Sequence, residues 1–139
     1  MTDPTVVLVV YAYTLTATPG SGSPRYICQG SAGLVFTLSN SDIGTSYRLF
    51  RGTTGIGSLI PGTGGPITFS PAQNTAGTYN VRGTTSSPIS CTAVASGSIT
   101  INVDVPITIS TQPINRTICT GANTTFSVTA AGGGTPTYQ

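Results

Sequence analysis

The chain carries little with which to run a reaction. It has no His, Lys, Glu or Trp, and its ionic and thiol chemistry is confined to five arginines, three aspartates and three cysteines. A Ser or Cys nucleophile would find only Asp or Tyr to take its proton, so the sequence predicts no catalytic residue, no cofactor and no enzyme. Asp3, Asp42 and Asp104 are far apart in sequence, whereas a calcium site gathers several carboxylates. No metal site is expected, with one at a domain junction through Asp104 left open. Arg48 and Arg51 flank a predicted strand and could together clasp a carboxylate or sulfate; the plainer alternative is a solvated outward face. No cluster of basic residues exists, which disfavours nucleic acid.

The elements that must position these groups are strands. Candidates fall at 5–10, 12–18, 33–39, 45–51, 57–60, 66–70, 77–83, 97–103, 106–111 and 124–130, separated by turn residues at the spacing of an all-β sandwich. The 18 glycines and 10 prolines interrupt every helical periodicity, so helix should be nearly absent. Charged residues make up 6% of the chain, against roughly 25% in an average globular domain; hydroxyls and amides must keep the surface wet. Low-complexity disorder is the competing reading, and the period-2 runs argue against it. The apolar run from Val6 to Tyr13 falls well short of the roughly 20 residues that cross a bilayer. It also lacks the flanks of a signal peptide, so it reads as a strand and no membrane span is expected.

Alternation assigns a core: Leu34, Phe36 and Leu38 share one face, as do Tyr47 and Leu49, Tyr79 and Val81, and Ile99, Ile101 and Val103. Alternating Thr, as in Thr14-Leu15-Thr16-Ala17-Thr18, raises an ice-binding reading, but Thr is a good strand former and a twisted sandwich gives no flat lattice. Two stretches nearly repeat each other. Tyr26-Ile27-Cys28-Gln29-Gly30 precedes Phe36-Thr37-Leu38, and 91 residues on, Cys28 to Cys119, Thr117-Ile118-Cys119-Thr120-Gly121 precedes Phe126-Ser127-Val128. Pro19 and Pro113 stand upstream of each. Such recurrence is the mark of tandem copies of one small β domain. The expected organisation is 1–10 as the closing strand of a preceding repeat or an N-terminal extension, 11–105 as one complete domain, and 106–139 as the opening strands of a following one.

Gly77-Thr78-Tyr79-Asn80-Val81 resembles the strand that carries the tyrosine corner of immunoglobulin-like Greek-key sandwiches. Val81 stands where an antibody domain has its second cysteine, and there is no core Trp, so an antibody-type domain is excluded. Ile27-Cys28-x-Gly30, Tyr47-Arg48-Leu49-Phe50, Gly62-Thr63-Gly64-Gly65-Pro66-Ile67-Thr68-Phe69, Ala76-Gly77-Thr78-Tyr79, Cys91 and Gly97-Ser98-Ile99-Thr100 together resemble the Ig-like or PKD-like repeats of very large surface adhesins in gliding Bacteroidetes. The opening of another such repeat is similar to Gln112-Pro113, Cys119-x-Gly121 and Phe126-Ser127-Val128. The resemblance implies a secreted or cell-surface product exported by the type IX system. It also makes glycosylation at the acceptor-like Asn115-Arg116-Thr117 and Asn123-Thr124-Thr125 improbable.

An odd thiol count in an extracellular chain leaves one cysteine unmatched. Pairing Cys28 with Cys91 inside the complete domain, with Cys119 left over, is the simplest assignment, although a plain seven-strand sandwich would hold the two sites too far apart; buried free thiols are the alternative. The functional expectation is a structural, adhesive Ig-like repeat that extends a binding tip from the cell. Its partners would be neighbouring repeats, a surface glycan or protein ligand, and other copies joined head to tail through 5–10 and 106–139. The alternative is a carbohydrate-binding accessory module of an exported enzyme, for which Tyr11, Tyr13, Tyr26 and Tyr138 are the available aromatics.

Overall fold

The computed structural model describes residues 12–85 and 90–133. They form eleven strands and no helix: β1 (Leu15–Thr18), β2 (Arg25–Cys28), β3 (Leu34–Leu38), β4 (Thr45–Arg51), β5 (Thr54–Pro61), β6 (Ile67–Gln73), β7 (Gly77–Thr85), β8 (Cys91–Val94), β9 (Ile99–Asp104), β10 (Thr108–Thr111) and β11 (Thr129–Ala131). The chain divides into two compact units, Met1–Val103 and Asp104–Gln139.

The first unit is a β-sandwich. One sheet has the order β1-β3-β6, and the other runs β2-β9-β7-β4-β5 with β8 also paired to β7. Alternation explains the layering: Leu34, Phe36 and Leu38 point inward from β3, while Tyr47, Leu49, Tyr79, Val81, Ile99 and Ile101 point inward from the facing sheet. All are buried, and together with Leu15, Ala17, Ile67, Phe69 and Ala95 they form one core. Phe36 and Tyr79 stack across it with ring centroids 4.9 Å apart. Val103, expected in the core, is only half-buried at its margin.

Tyr79 makes the corner that its sequence context suggested. Its hydroxyl donates to the Thr75 carbonyl at 2.8 Å, tying β7 to the turn before it, and Val81 two residues on is fully buried. Two strands escaped the sequence reading, β2 and β8. The predicted strand 57–60 extends over Thr54–Pro61, 12–18 contracts to Leu15–Thr18, and in place of 124–130 a three-residue strand forms at Thr129–Ala131, sharing only 129 and 130 with the expectation. The expected strand 5–10 lies outside the described residues.

In β1, Leu15 faces Leu38 and Ala17 faces Phe36. The side chain of Arg25 then turns back on the chain that leaves β1, donating to the Ala17 carbonyl at 3.0 Å and to the Pro19 carbonyl. Those bonds fix the crossing from one sheet to the other, so β1 belongs to the first sheet and β2 to the second.

Among the described residues the second unit holds one antiparallel pair, β10 with β11, in which Ile109 faces Ala130. Its large apolar side chains Ile107, Ile114, Ile118, Phe126 and Val128 are exposed. One turn occurs in both units. Ser31 N–H donates to the Cys28 carbonyl, and Ala122 N–H to the Cys119 carbonyl, each at 3.1 Å. The third residue of each turn is a glycine in the left-handed region, Gly30 at φ 82° and Gly121 at φ 85°, as a type II turn requires.

Candidate functional site

The densest unspent polar chemistry lies on the outward face of the larger sheet. In the β4–β7 register Arg48 sits directly opposite Arg82, and Phe50 opposite Asn80. The alternation that sends Tyr47, Leu49, Tyr79 and Val81 inward sends these four outward. Arg82 lies over the Phe50 ring, its guanidinium carbon 4.3 Å from the centroid, and donates to the Gly52 carbonyl at 3.3 Å. Arg48 reaches toward the same β4–β5 hairpin and donates to the carbonyl of Gly55, the residue opposite Phe50, at 3.2 Å. Gly55 makes that possible, because a Cβ there would stand 2.7 Å from the Arg48 guanidinium carbon.

Like charges facing each other across strands repel, and no carboxylate occurs in β4, β5, β7 or β8 to offset them. Arg48 Nε, Arg82 Nε and Asn80 Oδ1 are shielded from solvent without a hydrogen-bond partner. Of the two arginines the sequence singled out, Arg48 belongs to this cluster and Arg51 does not. Arg51 instead pairs with Tyr79 in register and its aliphatic stem lies over Gly77. The partner of Arg48 is Arg82, a residue in a strand 34 positions away whose proximity only the sheet register creates.

Asp42 is also engaged, contrary to its isolated look in sequence. Tyr13 Oη donates to Asp42 Oδ1 at 2.6 Å, Tyr47 Oη donates to Oδ2 at 3.1 Å, and the Asp42 N–H donates to Tyr47 Oη at 2.9 Å. Burial pushes the Tyr47 phenol above its ordinary value of 10.0, and the neighbouring Asp42 carboxylate pushes the same way. The cluster is a structural clasp between the chain leading into β1 and the turn leading into β4. Among the described residues no group of three or more His, Cys, Asp or Glu could hold a metal ion.

The expected bridge between Cys28 and Cys91 is not formed. All three cysteines are free, Cys28 and Cys119 exposed and Cys91 half-buried. The topology gives the reason. Cys91 faces Thr85 at one end of β7, whereas β9, with β2 beyond it, pairs with the Gly77–Tyr79 end. Tyr79 and Thr85 are six residues apart, roughly 20 Å along a strand, and a disulfide needs Cα atoms within about 4.4–6.8 Å.

The remaining candidates carry less. Tyr26 is exposed, Tyr13 is committed to Asp42, and Tyr11 and Tyr138 lie outside the described residues, so the described aromatics do not assemble a stacking platform. Outward threonines bond one another across strands, Thr37 to Thr68 at 3.2 Å, Thr78 to Thr100 at 3.1 Å and Thr84 to Thr92 at 2.9 Å. Those hydroxyls partly satisfy each other. A groove of about 580 Å³ runs along β1 past Ser21, Ser23 and Ile99, but contains no titratable side chain. Comparison with family models, curated proteins and solved structures gives no match.

Proposed function

We propose that this chain is a module of tandem immunoglobulin-like repeats in a secreted or cell-surface adhesin, with a mechanical and presentational role. The observation that carries the reading is the recurrence within the second unit of the way the first unit opens. Ile109 faces Ala130 as Leu15 faces Leu38, and the Cys-x-Gly turn between the paired strands is bonded the same way in both units. With Pro113 in the place of Pro19, this register sets Phe126 and Val128 in the places of Leu34 and Phe36. It therefore shifts by two residues the match of Phe126 to Phe36 that the sequence suggests.

The order β9-β7-β4-β5 follows the G-F-C-C′ order of variable-type immunoglobulin sheets, β1-β3-β6 follows A-B-E, and the Tyr79 corner sits at the start of the F-like strand. Each supports a Greek-key immunoglobulin-like assignment. With charged residues only 6% of the chain, hydroxyl-rich strand faces keep the module hydrated. The location is tested by raising antibody to residues 1–103 and staining intact source cells. Labelling without permeabilisation is expected, and labelling only after lysis would remove the adhesive reading.

A further inference from the structure

We propose that the outward face around Arg48, Arg82, Asn80 and Phe50 is a binding site for an oxyanion carried on a polysaccharide, a carboxylate or a sulfate group of an acidic glycan. This deepens the adhesive reading, on which it rests only for where such a ligand is met.

The argument begins with the missing counter-charge. Two guanidiniums held opposite each other on neighbouring central strands, with no carboxylate in any of the four strands β4, β5, β7 and β8, raise the local potential without internal compensation. Each is also anchored. Arg48 is fixed by the Gly55 carbonyl and Arg82 by the Gly52 carbonyl and the Phe50 ring, so less side-chain freedom is lost when a ligand arrives. A guanidinium has five N–H donors in a planar fork that suits oxyanions; with Nε of each arginine shielded and one terminal nitrogen bonded to a carbonyl, the remaining terminal N–H groups are left for a guest. The orphaned Asn80 Oδ1 beside them is an acceptor that a sugar hydroxyl can satisfy once the amide turns toward it.

The surroundings select a glycan over an acidic peptide. Both β4 and β7 are interior to their sheet, with partners on either side, so their backbone groups are spent and a peptide cannot add as a further strand. Beyond the arginines the same face presents Ser46, Thr84, Thr92 and Asn80, whose hydroxyls and amide match sugar hydroxyls, and Val94, exposed opposite Arg82, which offers an apolar edge to the face of a sugar ring.

Binding would be measured on the 139-residue chain by isotope-edited NMR titration with four probes. These are a uronate oligosaccharide, a sulfated oligosaccharide without carboxylates, a neutral oligosaccharide of the same length, and polyaspartate. Shifts centred on Arg48, Asn80 and Arg82 are expected with one or both acidic sugars, and whichever binds identifies the anion. Either Arg48→Gln or Arg82→Gln should weaken affinity about tenfold, as expected for losing a charge-assisted hydrogen bond, and Arg48→Lys should weaken it less. Arg116→Gln, in the second unit, should change nothing. Spectra that keep the Tyr79 and Phe36 resonances in place show that a variant is folded. No binding of either acidic sugar, equal binding of the neutral one, or equal loss in Arg116→Gln overturns the proposal. Preferential binding of polyaspartate overturns it in favour of a protein partner. Surface staining of cells is independent of all these outcomes, so the site can fail while the adhesive reading stands.

Discussion

Tyr47 keeps a phenol in the core by giving its oxygen two bonds to Asp42, and that arrangement has a pH signature. Its folded pKa lies above 10.0, chiefly because burial disfavours the phenolate. Its contribution to stability is therefore fully present below the unfolded pKa near 10 and is lost as pH rises toward the folded value. Urea unfolding of wild type and Tyr47→Phe should give curves that run parallel below pH 10 and converge above it; curves that stay parallel to pH 11 would show that the phenol is not held neutral. The thiols yield a second prediction at this scale. All three cysteines should react with a thiol reagent in the denatured, unreduced chain, Cys28 should react faster than Cys91 in the folded one, and Cys28→Ser with Cys91→Ser should leave Tm unchanged. A non-reducing mass two hydrogens below the reduced chain would contradict the free-thiol topology. Counting cysteines gave an odd number and suggested a bridge, but parity says nothing of which end of β7 each thiol faces.

At the scale of elements, two glycines in the same backbone region should behave differently. Gly30 (φ 82°) has open space around its missing Cβ, whereas a Cβ on Gly33 (φ 88°) would meet the Gln73 carbonyl at 2.6 Å, where β3 meets β6. Gly30→Ala should cost only the left-handed penalty, roughly 1–2 kcal/mol, and Gly33→Ala distinctly more, because the backbone of β6 must also move. Equal costs in urea titrations would show that the β3–β6 contact is slack. The same strands show what the sequence could reveal. Strict alternation in Leu34–Leu38, Tyr47–Leu49 and Tyr79–Val81 announced the centre of the core, since a half-buried strand must alternate, whereas Leu15, Ala17, Ile67, Phe69 and Ala95 were not assigned to it from sequence. β2 and β8 stayed hidden because each is four residues long and held by backbone pairing that no side-chain pattern records. Arg48 was legible as a candidate, while its pairing with Arg82 was not: cross-strand neighbours depend on register, and register is a property of the assembled sheet.

At the scale of the whole molecule, the two units differ in how they bury apolar surface. The first packs 14 apolar residues into one core, while the second leaves Phe126 and Val128 exposed in the segment leading into a two-stranded sheet, and such a sheet is marginally stable by itself. If the second unit opens an immunoglobulin-like repeat, strands from the first should be able to complete it. The direct measurement is cooperative unfolding, followed by urea titration and hydrogen exchange, of a chimera in which residues 104–130 are joined to 39–103, with Ala130→Leu restoring the side chain that Leu38 supplies. Residues 1–103 serve as the folded control. The tandem-repeat account predicts a single cooperative transition with the amides of Phe126 and Val128 protected; a control that unfolds cooperatively beside a chimera that shows neither transition nor protection would contradict it.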